Sequence, residues 1–256
     1  MHVVKLILRS GLFLAGVWVY VENRLLETGK PLGGYDEDIV LWIVIWLVFF
    51  AEMVLRFFSA PPIESMGCQK QFSRNFRPSN REGAVPRWHS GWRTFAVAAA
   101  WLALNGIIGL LYFAGWIDRG ILLLISLAYG VCDMICILFF CPFQTWFMKN
   151  KCCTTCRIYN WDYAMMFTPL VFIPGYFTWS LVLGSLLLLL RWEITVWRHP
   201  ERFSEATNDS LACKNCKEKL CSHKKQLQHF LVVNRKRLHL SGNALLEGIK
   251  EKMTKK

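Results

Sequence analysis

Long apolar runs alternate with short polar connectors along the chain, and the run lengths predict its architecture. About 20 helical residues at about 1.5 Å rise cross the hydrocarbon layer of a bilayer, so an apolar run of about 18 or more predicts a spanning helix. Three runs meet this at full length: 39–58 (IVLWIVIWLVFFAEMVLRFF), 95–117 (FAVAAAWLALNGIIGLLYFAGWI) and 121–143 (ILLLISLAYGVCDMICILFFCPF). A fourth, 6–21, is interrupted near its start by Lys5 and Arg9, cations placed where their side chains can snorkel to an interface. VENRLLE follows it with no small-residue cleavage pattern, which predicts a retained signal-anchor helix.

The stretch from Trp161 to Trp197 is 37 residues long and carries charge only at Asp162, Arg191 and Glu193. One long helix is the simplest reading. Pro169 and Pro174-Gly175 interrupt it, because proline removes helix hydrogen bonds and Pro-Gly signals a turn. The alternative is a hairpin, with a short limb over 161–173 and a spanning limb over 176–197.

Basic residues concentrate on the cytoplasmic side of membrane segments, and this arbitrates. Lys5 and Arg9 put the amino terminus inside. The connector 22–38 has Arg24 and Lys30 against Glu22, Glu27, Asp36, Glu37 and Asp38, which suits the outside. The connector 59–94 holds Lys70, Arg74, Arg77, Arg81, Arg87 and Arg93 and belongs inside. Residues 118–120 form a tight external turn, and 146–162, with Lys149, Lys151 and Arg157, returns inside. The tail 199–256 has 13 Lys and Arg against 6 Asp and Glu, so it too belongs inside and the hairpin is favoured. The prediction is an all-α integral membrane protein of five to six segments, in the cell (inner) membrane with both termini cytoplasmic. A polytopic domain, 1–198, has segments near 6–21, 39–58, 95–117, 121–143, 161–173 and 176–197. A small cytoplasmic Cys-rich basic tail follows over 199–256.

Composition sharpens this picture. Hydrophobic residues make up 54% of the 256 and the formal net charge is +12, so grease and charge are segregated along the chain. Aromatic residues fall inside the apolar runs rather than between lysines, which argues against nucleic acid as a partner. The expected surroundings are a lipid bilayer, with the basic connector either lying on anionic headgroups or simply solvated, and a cytoplasmic protein as a possible partner of the tail. Leu227, Phe230, Leu231, Asn234 and Leu238 recur at helical spacing there and predict a short basic amphipathic helix.

Candidate chemistry lies in ten cysteines. A reducing cytoplasm disfavours disulfides, so clustered thiols on that side point to metal ligation or redox work. The first cluster, CPFQTWFMKNKCCTTCRIYNWD, holds Cys141 and the C-x-x-C pair Cys153 and Cys156; adjacent Cys152 diverges from Cys153. The second, CKNCKEKLCSH, holds Cys213, Cys216 and Cys221 with His223. Tetrahedral zinc takes four such ligands, and iron–sulfur clusters take four thiolates. Zinc leads for the second cluster, iron–sulfur slightly for the first, and a shared ion between Cys153, Cys156, Cys213 and Cys216 is a third arrangement. Unligated thiols are the plain alternative.

Within the apolar runs, Glu52 and Arg56 stand at i,i+4 and are expected to form a structural ion pair. Asp133 sits midway along the fourth segment between Cys132 and Cys136, which share a face. It is either a protonated carboxyl bonded across helices, for instance to Asn105, or an intramembrane site with the two sulfurs for a proton or a soft cation. Arg157, Trp161 and Asp162 suit an aromatic interface anchor with a local ion pair. All six histidines lie outside the apolar segments, which argues against a bis-histidine haem within the membrane. No P-loop, G-x-G-x-x-G, H-E-x-x-H or G-x-S-x-G occurs, and no catalytic residue is legible.

The string CPFQ through KCC-x-x-CRI-x-x-WD to MMFTP, with the HPERF and C-x-x-C tail, resembles multi-pass membrane proteins of anaerobic, Gram-positive-type bacteria. The resemblance covers about the last half of the chain and implies a bacterial cell membrane, with no function attached. The leading expectation is a membrane-bound metal or iron–sulfur binding protein, redox or electron-transferring at the cytoplasmic face. The alternatives are a zinc-stabilised scaffold or transport accessory, and a soft-metal cation transporter.

Overall fold

A computed structural model of the chain describes residues 2–25, 39–58, 75–79, 85–86, 91–149 and 156–215. Among the described residues the regular elements are all helical, and extended backbone pairs only in an isolated bridge between Pro78 and Asn208. The long helices are α1 (His2–Leu25), α2 (Ile39–Phe57), α3 (Gly91–Phe113), α4 (Arg119–Leu138) and α6 (Tyr176–Arg198). Between α4 and α6 lies the short α5 (Asp162–Phe167), continued by a 3-10 stretch, Thr168–Phe172. Four of these, α1, α3, α4 and α6, are long and apolar enough to cross a membrane. Their outer surfaces expose Ile7, Leu14, Trp18, Leu102, Leu110, Leu183, Leu187 and Leu190. An apolar surface on that scale suits lipid rather than water.

Helix ends follow local sequence. In α4, Asp118 caps the start by accepting a hydrogen bond from the Ile121 N–H at 2.9 Å. The helix stops at Leu138, five residues before the end of the apolar run 121–143, because Pro142 lacks an N–H and disfavours helical geometry at Cys141. α3 likewise stops at Phe113 rather than 117; Gly115 adopts φ +76° in the turn into α4, a left-handed conformation that glycine takes without strain.

The stretch 161–197 is broken into a hairpin. Pro169 falls at the start of the 3-10 stretch, where its missing N–H costs nothing, and Ile173 is extended before α6 begins at Tyr176. The short limb, α5 with its 3-10 continuation, is about 19 Å long from its helical rises. It runs through the middle of the bundle: Tyr163, Met166, Phe167 and Leu170 are buried against Ile45, Phe49 and Met53 of α2, Leu122, Leu123 and Leu127 of α4 and Leu181 and Leu188 of α6.

Side-chain contacts fix helix directions. α1 runs antiparallel to α4, since Arg9 reaches Gly130 while the Tyr20 hydroxyl donates to Asp118 at 3.2 Å. α2 runs parallel to α6, since the Trp46 Nε1–H donates to Ser180 at 2.8 Å and the Arg191 guanidinium lies over the Phe57 ring at 4.8 Å. The start of α1 and the ends of α2, α4 and α6 therefore share one end of the bundle. At that end the connector between α2 and α3 is stitched to the chain after α6. Ser79 N–H donates to Thr207 O at 3.0 Å, Asp209 N–H to Arg77 O at 2.8 Å and Ser210 Oγ to Asn75 O at 2.6 Å. Buried Asn208 adds an Nδ2 bond to Arg202 O at 2.8 Å.

One close approach sets the depth of the hairpin tip. A Cβ on Gly109 of α3 would clash with the Phe172 ring, so that ring packs directly on the α3 backbone. Gly109→Ala is expected to lower stability by about 1 to 3 kcal/mol through overpacking, read as a lower thermal midpoint of the detergent-solubilised protein. Gly106→Ala, where no atom lies within 4 Å of the added carbon, is expected to leave the midpoint unchanged or raised.

Candidate functional site

Two features share the end of the bundle that carries the stitched connector: a buried ion network and a cavity lined by thiols. The network centres on Arg9 of α1, which is only 3% exposed. One guanidinium nitrogen donates to Asp133 at 3.0 Å and to the Gly130 carbonyl at 3.2 Å; the other donates to Glu52 at 3.0 Å. Glu52 also pairs with Lys5 at 3.0 Å and accepts the Tyr163 hydroxyl at 2.7 Å. The Tyr163 ring lies between two guanidinium groups, Arg9 at 5.8 Å and Arg56 at 4.4 Å from its centroid. Arg56 in turn donates to both oxygens of Asp162 at 2.7 Å. Three cations thus face three carboxylates across α1, α2, α4 and α5.

This arrangement corrects three expectations. Glu52 and Arg56 find these partners on other helices, not each other one turn apart, because the antiparallel α1 brings two cations to Glu52 and the hairpin brings Asp162 to Arg56. Asp133 bonds to Arg9 rather than to Asn105, whose Nδ2 donates to the Trp101 carbonyl of its own helix at 3.0 Å. Arg9 does not snorkel to an interface; it points into the bundle. At the outer edge, Arg157 pairs with Glu193 of α6, and Trp161 Nε1–H donates to the same carboxylate at 2.8 Å. That edge has the aromatic and ionic character expected of residues 157–162, but its partner comes from α6, and Asp162 belongs to the inner network.

The cavity, about 300 Å³, lies against this network. Asp133 and Asp162 line it, as do Cys132, Cys136, Cys141 and Cys156, with Trp101, Tyr129, Phe143 and Tyr159 among its aromatic walls. The aromatic side is held rigidly. Trp101 stacks tilted on Tyr129 at 4.6 Å, meets Phe143 edge-on at 6.0 Å and donates its Nε1–H to Thr168 at 3.1 Å.

The four thiols differ in setting. Cys132 is exposed on the outer face of α4, while Cys156 is buried among Val97, Met148 and Ile158. Cys136 and Cys141 line the same cavity, five residues apart across the end of α4. Cys141 accepts the Gln144 N–H at 3.4 Å. The widened turn Phe143–Phe147, closed by Met148 N–H donating to Phe143 O at 2.8 Å, holds that donor in place. Hydrogen bonds delivered to a sulfur favour its anionic, nucleophilic form.

Among the described residues, no three Cys, His, Asp or Glu side chains converge as a metal-holding group. Of the residues expected to ligate a metal, Cys141 and Cys156 share the cavity wall with Cys132, Asp133 and Cys136. Cys153, Cys216, Cys221 and His223 lie outside the described residues, as do the side chain of Cys213 and the amphipathic repeat of the tail. The described members of the sites expected over 141–156 and 132–136 thus line one cavity. Sequence spacing missed it because Cys156 returns to Cys141 only through the fold. The i,i+5 spacing of Cys136 and Cys141 across a proline-stopped helix end is the signal that joins them. Comparison with known proteins finds no matching family model, no matching curated protein and no matching solved structure.

Removing Arg9 leaves Asp133 and Glu52 buried without their shared cation. Arg9→Ala is expected to destabilise the fold by about 3 to 5 kcal/mol, read by denaturant unfolding in detergent. Adding Asp133→Asn to that variant is expected to restore part of the loss.

Proposed function

We propose that this chain is a membrane-bound redox protein whose reactive centre is the Cys136 and Cys141 dithiol at the cytoplasmic face. The observation that carries this reading is the placing of those two thiols on one wall of a cavity of about 300 Å³ that also holds Cys132 and Cys156. Cys141, with an N–H donated to its sulfur, acts as the nucleophile; Cys136, on the same cavity wall, is its resolving partner. In turnover the pair cycles between dithiol and disulfide, passing two electrons and two protons. Asp133 is tied to Arg9, which weighs against its use as a cation ligand and so against the transporter reading.

The membrane arrangement follows the basic residues. We take six segments to enter or cross the inner membrane, with the amino terminus, the connector 59–94 and the tail in the cytoplasm. Support comes from the hairpin and from the bonds tying residues 75–79 to 207–210, which a single crossing of 161–197 would separate.

A second reading, a zinc or iron–sulfur centre at the same face, draws on Cys141 and Cys156 sharing one wall, with Cys153 three residues from Cys156. Anaerobic metal analysis and visible spectra separate the two. The dithiol reading expects colourless protein without stoichiometric metal. A brown chromophore or one bound zinc, lost in Cys141→Ser and Cys156→Ser, would replace it.

Mild oxidation with diamide is expected to join Cys136 to Cys141, seen as one linked peptide by mass spectrometry, while Cys132 still alkylates. Free alkylation of both Cys136 and Cys141 after diamide would overturn the dithiol. For topology, a cytoplasm-active reporter fused after Lys256 is expected to be active, and one active only outside would overturn the six-segment arrangement.

A further inference from the structure

We infer that the cavity binds the ring of a lipid-soluble quinone, which is the electron acceptor of the Cys136 and Cys141 dithiol. This inference rests on the redox reading above and adds its substrate class.

Three observations converge on a flat, neutral, membrane-borne ring. First, the cavity wall is overwhelmingly apolar and carries four aromatic side chains, Trp101, Tyr129, Phe143 and Tyr159. Planar aromatic walls favour a planar guest, and about 300 Å³ is the lower range for small-molecule sites, enough for one ring system but not for a bulky ligand. Second, the cavity reaches the lipid-facing surface through Cys132, which is at once exposed and part of the lining. A ring can enter there while its isoprenoid tail stays among acyl chains. Third, the ionised groups beside the cavity are already matched: Asp133 by Arg9 and Asp162 by Arg56. The site therefore offers no uncompensated charge to a hydrated ion, whereas the Tyr129 hydroxyl on the wall can donate to a ring carbonyl.

The step balances without another reagent. An Sγ–Sγ bond forms between Cys136 and Cys141 as both S–H bonds break. The two electrons pass to the quinone ring, and the two thiol protons end on its two oxygens as hydroquinone. Cys141, the sulfur that receives the Gln144 N–H, passes its electron pair to the ring without bonding to a ring carbon as Cys136 closes the disulfide on it.

The test uses the whole chain in lipid nanodiscs, reduced with a phosphine and desalted under anaerobic conditions. The probe is decylubiquinone, whose fully substituted ring resists thiol addition at carbon. The expected result is one hydroquinone formed per Cys136–Cys141 disulfide, with neither product in Cys141→Ser. Cys132→Trp, which narrows the lipid-side mouth, is expected to slow the quinone reaction by about tenfold or more. Reaction of Cys132→Trp at the wild-type rate would overturn the ring's place in this cavity. Disulfide formation with diamide but not with decylubiquinone would overturn the quinone inference and leave the dithiol standing. Failure of both oxidants to join Cys136 to Cys141 would overturn the two together.

Discussion

A guanidinium held inside an apolar helix bundle is the constraint on which the rest of this structure depends. An isolated cation at membrane depth is costly, by several kcal/mol on the mildest scales. Arg9 is tolerated because three elements are brought to it: α2 supplies Glu52, α4 supplies Asp133 and the Gly130 carbonyl, and α5 supplies the Tyr163 ring. Each contact fixes a helix in rotation and in depth. Gly130 illustrates the tolerance: a Cβ there would stand 2.8 Å from the Met166 sulfur, so the glycine lets α4 and α5 close around the charge. Tyr163 then couples this centre to a second one, since its ring also lies against Arg56, which is bound to Asp162. Neutralisation between helices specifies a single arrangement in a medium where apolar packing alone discriminates weakly between neighbours.

The same constraint explains why the short limb exists. A limb of about 19 Å is too short to cross a hydrocarbon layer of about 30 Å unaided. It remains inside because its polar groups are satisfied there: Asp162 by Arg56, Tyr163 by Glu52 and Thr168 by Trp101. Irregular backbone at that depth is stable only when protein surrounds it, and α2, α4 and α6 do so. The hairpin thus carries the hydrogen-bonding load of the bundle centre, while the four long apolar helices form much of the lipid-facing surface.

Most of the architecture was legible in the chain. Run length gave the long helices and Pro174-Gly175 gave the break, whereas the bonds between residues 75–79 and 207–210 had no signal in the charge pattern. Helix ends drifted by up to five residues because hydropathy does not register the stop imposed by Pro142 or the left-handed turn at Gly115. The ion network was illegible for a different reason. An i,i+4 rule pairs Glu52 with Arg56 along one helix, but the partners that win come from residues about 43 and 106 positions away, which periodicity cannot address. The thiol site was half legible: the first cluster stood out by spacing, yet the union of Cys132 and Cys136 with Cys141 and Cys156 needed the chain to turn at 139–142 and return at 156.

Charge matching and thiol chemistry meet at two residues. Asp133 and Asp162 belong both to the network and to the cavity wall, so the pairs that hold α1 to α4 and α2 to α5 also set the width of the space between α4 and the short limb. A loose cavity would let the Trp101 and Tyr129 pair and the two sulfurs wander apart, and thiol exchange depends on sulfurs that meet in line. Balanced buried charge does two things here. It fixes the distance between the elements carrying Cys136 and Cys156, and it leaves the space between them without net charge. Such a space rejects ions by their desolvation cost and suits a neutral guest.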